Sequence, residues 1–254
     1  SYKISNDRMN STIANFDGSE GTVGRNPLPN GFIGITEGRN TIKQTLSGSI
    51  RAYTSQPIPN SAVYPRWGLG MEIGAMEDCV NNDIFSPMGY IYGYGYLPGI
   101  IRTQGLKLTA WYQRKLSHES MFGQPYVNIL PRGLSDNGYL HQWVANMYTH
   151  AAKFTADYAI PIYIGDVSIA KGLLYIKRLT LTPHVDYTRV GEYNLMSAGT
   201  SLTFDLNGII WIGWPVSIGA SWSYNNICDF KAVQQMTGFE MKKHDFGFIF
   251  NVSF

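Results

Sequence analysis

The C-terminal stretch His244-Asp245-Phe246-Gly247-Phe248-Ile249-Phe250-Asn251-Val252-Ser253-Phe254 alternates with a period of two. Phe246, Phe248, Phe250, Val252 and Phe254 fall on one face. Asp245, Gly247, Asn251 and Ser253 fall on the other, with Ile249 the exception. Side chains alternate across a strand, so the stretch predicts a β-strand with one aromatic and one largely polar face. The pattern recurs upstream. Residues 41–54 carry Ile42, Leu46, Ile50 and Ala52 on one face, and after Trp67 the residues Leu69, Met71, Ile73 and Ala75 alternate with Gly68, Gly70, Glu72 and Gly74. Tyr90, Tyr92, Tyr94 and Tyr96 interleave with Gly93 and Gly95, and Leu106, Leu108, Ala110 and Tyr112 alternate with Lys107, Thr109, Trp111 and Gln113. Further segments begin near Phe154, Leu179, Leu202 and Val216, each pairing an apolar face with one of Lys, Arg, Asp, Thr, Ser or Asn. Counted together they predict about nine strands, with a short helical turn over 231–237.

A sandwich would bury the polar face of these strands, and unpaired charges in apolar surroundings are costly. A hydrated lumen carries no such penalty. The expectation is therefore an all-β fold, an antiparallel transmembrane β-barrel of the outer-membrane type, with the apolar faces toward lipid and the terminal aromatic strand closing the wall. Bacterial barrels usually have an even number of strands, so an odd count points to the C-terminal part of a larger barrel. Residues 1–38 are rich in Asn, Gly and Ser and contain Asn26-Pro27-Leu28-Pro29-Asn30-Gly31. They read as a loop-rich leader or the remnant of a preceding region, with a short strand near 31–35, and 39–254 as the barrel wall. If the last strand ends in the periplasm, the long connections 118–140 and 225–243 are extracellular and 163–171 and 207–215 periplasmic.

Composition sharpens this picture. Charged residues are 15% of the 254, against roughly 25% in soluble domains, and aromatics are 14%. The net charge of +2 gives no basis for nucleic-acid binding. No run of ~18 apolar residues occurs, which has no bearing on a membrane protein that crosses with strands. No signal peptide opens the chain at Ser1, so an exported barrel of this sequence is a mature chain or a piece of a longer one. Cys79 and Cys228 either pair in an oxidising compartment or stand as free thiols. The tyrosines at 90–96 suit an aromatic girdle or lipid-facing wall beside a glycine stripe better than a carbohydrate-stacking platform.

Candidate chemistry is sparse. His118, His141, His150, His184 and His244 show no metal-ligand spacing, and His118-Glu119-Ser120 is adjacent in sequence without the geometry of a triad. Asp157, Asp186 and Asp205 share the inward face with Lys153 and Arg178, which reads as an ion-pair network bracing the wall rather than as catalysis. No enzyme activity, cofactor or metal is expected.

The loop Ile129-Leu130-Pro131-Arg132-Gly133-Leu134 is followed by five predicted strands. The first contains Asp157 and Pro161, the second Asp186, and the last ends in Phe254. Over about residues 125–254 the chain resembles the bacterial surface antigen superfamily of barrels, which includes the outer-membrane assembly factor and the two-partner secretion transporters. Those barrels carry an Arg-Gly-aromatic tip on the sixth outer loop, an acidic-x-x-x-Pro strand, an inward Asp on the next strand and a terminal Phe. The resemblance implies that the loop folds into the lumen, that Arg132 meets Asp186, and that Gly133 permits the close approach. The chain departs from the family at Leu134, where the family has Phe or Tyr. It also implies polypeptide translocation or outer-membrane protein assembly in a Gram-negative outer membrane, with lipid and other outer-membrane or periplasmic proteins as partners. The alternative is a passive channel or a structural barrel within a surface complex.

Overall fold

The computed structural model describes residues 2–9, 22–23, 26–27, 39–58, 61–78, 85–116, 122–123, 129–135, 140, 149–169, 174–209, 216–238 and 240–252. Ten strands form one antiparallel sheet in which each pairs with its neighbours in chain order. They are β1 (Tyr2–Met9), β2 (Arg39–Ser55), β3 (Gly68–Asp78), β4 (Met88–Pro98), β5 (Gly105–Lys115), β6 (His150–Ile169), β7 (Leu174–Val190), β8 (Tyr193–Ile209), β9 (Val216–Cys228) and β10 (His244–Val252). One helix, α1 (Phe230–Thr237), lies between β9 and β10. The period-two segments become strands nearly where the alternation places them. β1 is the exception, since Tyr2, Ile4, Asn6 and Arg8 show no apolar stripe, and it raises the count from about nine to ten. The proposed short strand near 31–35 falls outside the described residues.

The sheet is not closed. Among the described residues no ladder joins either of its ends to the other. β1 pairs with β2 from Tyr2↔Leu46 to Met9↔Arg39, so among the described residues positions 47–55 of β2 have a neighbour on the β3 side alone. At the opposite end β10 pairs only with β9.

The apolar faces stay uncovered. Phe246, Phe248 and Phe250 are 78%, 75% and 61% exposed, and Leu69, Met71, Ile73, Leu108, Phe154, Val185 and Leu202 are exposed on the same side of the wall. Among the described residues nothing covers this stripe as the second layer of a sandwich would. Val252 is paired with Val216 through its backbone, and Phe254 lies outside the described residues. Buried polar groups, Glu72, Asp157, His184, Asp186, Thr188, Ser197 and Asn225, share the other, concave face.

The tyrosine comb is on that concave face, not on the outer wall where a girdle would sit. In β4 the outward positions are Ile91, Gly93 and Gly95, while Tyr90 is buried and donates its hydroxyl to Glu72 Oε1 at 2.7 Å. The reason is the glycine stripe of β3. Gly70 pairs with Tyr94 and Gly74 with Tyr90, and each ring lies where a Cβ would stand. The rings lean on one another, Tyr92 stacking on Trp111 at 4.0 Å and touching Tyr94 at 5.6 Å. Alternation alone could not decide the face, because one set of positions is aromatic and the other is glycine.

The comb yields a direct test. A Cβ at position 74 would stand 2.5 Å from Tyr90 Cζ and Oη, and moving that ring breaks its bond to Glu72. A Cβ at position 93 meets only Gly70 O at 3.8 Å. Gly74→Ala is expected to destabilise by about 1–3 kcal/mol, the usual cost of overpacking. Gly93→Ala should leave the unfolding midpoint unchanged or slightly raised, since it removes only backbone freedom. Equal midpoints for the two variants would refute the placement of the comb.

Two-residue and longer connections share one rim. Gly191 and Glu192 turn β7 into β8, with Gly191 at φ 58°, the positive value required at the first position of such a hairpin. On the same rim lie the connection from β5 to β6 and that from β9 to β10, which contains α1. The opposite rim carries the turns after β2, β4, β6 and β8.

Candidate functional site

The connection from β5 to β6 brings residues 129–135 onto the concave face. Pro131 has φ −57° and ψ 153°, and Arg132–Leu134 form a single 3₁₀ turn closed by Leu134 N–H donating to Pro131 O at 2.9 Å. Ser135 finishes the turn, its hydroxyl donating to Arg132 O at 2.7 Å. This tight turn aims the Arg132 side chain at the wall.

Asp186 receives it. The Arg132 backbone N–H donates to Asp186 Oδ2 at 2.9 Å, Nε donates to the same oxygen at 3.0 Å, and Nη2 donates to Oδ1 at 2.9 Å. A planar guanidinium matched to both oxygens of a carboxylate is a strong, directional pairing. Nη2 also pairs with Asp157 Oδ1. Asp157 on β6 stands opposite His184 on β7, two residues before Asp186, so both carboxylates lie on one face in adjacent strands. Asp186 is fully buried. Burial by itself would lower the Arg132 pKa; the two carboxylates outweigh it and raise it, so the cation is held.

The wall also grips the loop backbone. Thr188 donates to Ile129 O at 2.7 Å, Lys153 Nζ to Leu130 O at 2.5 Å and Asn225 Nδ2 to Gly133 O at 2.9 Å. Asn225 Nδ2 also donates to Lys242 O at 3.0 Å, so one buried amide ties both long connections together. Any side chain at position 133 would run into Asn225, so the close approach requires glycine. Above this clamp Ile129, Leu130, Leu134 and Leu140 pack with Ala151, Val190, Leu195, Phe230, Val233 and Met241. α1 supplies Phe230 and Val233, and Gly238 in the left-handed conformation ends it. Leu134, where the family pattern has an aromatic, is buried in this cluster, which docks the loop by packing.

A second segment reaches the concave face from the opposite rim. Arg178 is paired with Asp205 at 2.6 Å and donates through Nη1 to Ala62 O at 2.7 Å, while Ser217 donates to Asp205 Oδ1 at 2.7 Å. Tyr64 packs on Tyr96 at 5.7 Å, and burial together with nearby Asp157 pushes its phenol up to about 12. The ion-pair network expected from Asp157, Asp186, Asp205, Lys153 and Arg178 thus divides in two. One part holds the loop tip and the other holds the 61–65 segment.

No arrangement resembling a catalytic triad is present among the described residues. His184 Nε2 lies 3.1 Å from Ser223 Oγ across Gly199, but no carboxylate is hydrogen-bonded to its Nδ1. His150 and His244 are exposed, and His118 and His141 fall outside the described residues. No group of three or more His, Cys, Asp or Glu residues is placed to hold a metal ion among the described residues. Cys228 is exposed and unbridged, and Cys79 lies outside the described residues.

Comparison with known proteins finds no match to any protein-family model, any curated protein or any solved structure.

The residues that the family resemblance pairs, Arg132 and Asp186, are brought together, with Gly133 beside Asn225. Asn225, Thr188 and α1's Phe230 went unrecognised by sequence reasoning. For Asn225, its place two residues after Ser223, in the inward series Ser217, Ser221, Ser223, was the one available signal.

Proposed function

We propose that the chain is the wall of an outer-membrane β-barrel that translocates polypeptides or assembles other barrel proteins, its loop tip latched to the wall and its seam left open. The observation that carries this reading is Arg132 clasped by Asp186 and Asp157 while, among the described residues, the two ends of the sheet do not pair with each other. Unpaired strand edges offer N–H and C=O groups to an incoming strand. Among the described residues one edge is β10, and the other is β1 together with residues 47–55 of β2 beyond it. The exposed aromatic stripe supports lipid contact, since in water such a surface promotes aggregation. A passive channel is less well supported, because segments from both rims occupy the concave face.

The test has two stages. Purified chain is refolded with phospholipid vesicles and examined for flotation with the vesicles and heat-dependent gel mobility. Photo-crosslinking residues are then placed at Asn251 on β10 and Ser49 on β2 in cells producing barrel proteins. The proposal expects vesicle-bound protein and crosslinks to unfolded barrel substrates from both positions. Protein that remains in the aqueous phase overturns the membrane reading. Vesicle-bound protein that conducts ions steadily and yields no crosslinks overturns the assembly role in favour of the channel.

A further inference from the structure

The outer wall is interrupted by a groove. Its floor is formed by Gly93 and Gly95 of β4 with Ala110 of β5 and Ala156 of β6, and its sides by larger residues such as Met71 and Phe154. It encloses about 610 Å³. A second depression of about 600 Å³ shares Leu69, Gly95 and Leu108 with it and continues to the rim at Trp67, Gln56 and Thr54. The two form one groove along the outer surface, apolar in mid-wall and still mainly apolar at its end, where Thr54, Ser55 and Gln56 add polar groups.

The glycines of the floor are not required by packing. A Cβ at Gly93 or Gly95 would meet one backbone oxygen at 3.8 or 3.9 Å, an ordinary contact. The inward glycines Gly70 and Gly74 are each filled by a tyrosine ring, whereas these two have space beside them that the fold leaves unused. Glycine inside a strand weakens it, and often marks a place where something approaches closely.

The rim at the open end has a definite charge. The connection 56–67 contains Arg66 and no Asp or Glu, and the connection 99–104 contains Arg102 and no Asp or Glu. Both arginines are exposed. Ile58, Ile100 and Ile101 beside them are also exposed, Ile100 at 93%. Arginines, an indole and bare aliphatic side chains in two neighbouring connections of one rim match the interface between headgroups and acyl chains.

We infer that this groove binds one anionic phospholipid, an acyl chain lying over Gly93 and Gly95 and the phosphate meeting Arg66 and Arg102. The inference rests on the membrane reading above and adds a defined lipid site to it. The apolar floor selects a hydrocarbon chain, Thr54, Ser55 and Gln56 at its end offer hydrogen bonds to the ester region, and the two connections that carry arginine and no acid select negative headgroups.

The test uses the full chain in phospholipid nanodiscs or detergent, with native mass spectrometry of bound phosphatidylglycerol and phosphatidylcholine. Wild type is expected to retain phosphatidylglycerol in preference to phosphatidylcholine after detergent exchange. Gly93→Leu with Gly95→Leu should fill the groove and abolish retention of both lipids. Arg66→Ala with Arg102→Ala should remove the preference for phosphatidylglycerol while leaving the acyl chain bound. Heat-dependent gel mobility reports folding of every variant, and the space beside Gly93 predicts that the leucine pair folds. Retention that the leucine pair leaves unchanged overturns the site, as does a concentration-dependent dimer that the same pair abolishes. Protein that never enters vesicles overturns the membrane reading and this inference together. Protein that enters them and retains no lipid overturns this inference alone.

Discussion

Arg132→Ala is expected to lower the unfolding free energy in vesicles by about 3 kcal/mol, the lower end of the range for stripping one partner from a buried ion pair. The change strips the guanidinium from Asp186, fully buried, and from Asp157, leaving Lys153 as the nearby cation. The lower end applies because the Arg132 side chain is 40% exposed and water reaches part of it. The backbone N–H of residue 132 still donates to Asp186, which softens the loss further. Arg132→Lys should recover only part of it. An ammonium carries the charge but cannot present the fork that meets Asp186 through Nε and Nη2 while reaching Asp157. Adding Asp186→Asn to Arg132→Ala should restore stability relative to Arg132→Ala alone, because a neutral amide is less costly to bury than an unpaired carboxylate. Urea unfolding in vesicles measures the first quantity, and protease cleavage within 118–140 measures release of the loop. An unchanged midpoint and an unchanged cleavage rate in Arg132→Ala would show that the pairing does not hold the loop.

Phe230→Ala is expected to cost about 3–5 kcal/mol, as for other fully buried phenylalanines. Phe230 is completely buried in the cluster that Ile129, Leu130 and Leu134 complete. Its loss opens a cavity at the junction of both long connections, so protease should cut each of them faster. The combination with Arg132→Ala separates two accounts of loop docking. If packing and the ion pair hold one body, the double variant loses less than the sum of the two, since the first change has already freed the loop. Strictly additive losses with no change in loop cleavage would mean that the cluster stabilises α1 alone.

Nine of the ten wall strands were legible from period-two alternation, which in β4 sets tyrosines against glycines and in the others apolar against polar or small residues. β1 was not, since its pairing with β2 depends on backbone hydrogen bonds and on no apolar stripe. The facing of β4 was not legible either. Tyrosine suits a membrane interface as well as a polar interior, and only the glycines of β3 decide between them. In the site, Arg132 and Asp186 could be paired from the family resemblance, and Asp157 was visible as an inward acid. The backbone grip of Thr188, Lys153 and Asn225 was invisible, because a carbonyl oxygen leaves no mark in a sequence.

That grip bears on how the loop can vary among descendants of this chain. Three of its anchors fasten to main-chain oxygens of residues 129, 130 and 133, which every amino acid supplies. Drift at 129, 130 and 134 is therefore constrained only by size and greasiness, and Leu134 is one permitted choice among several. Positions 132 and 133 have no such latitude: one must deliver a forked cation, and the other must deliver nothing at all.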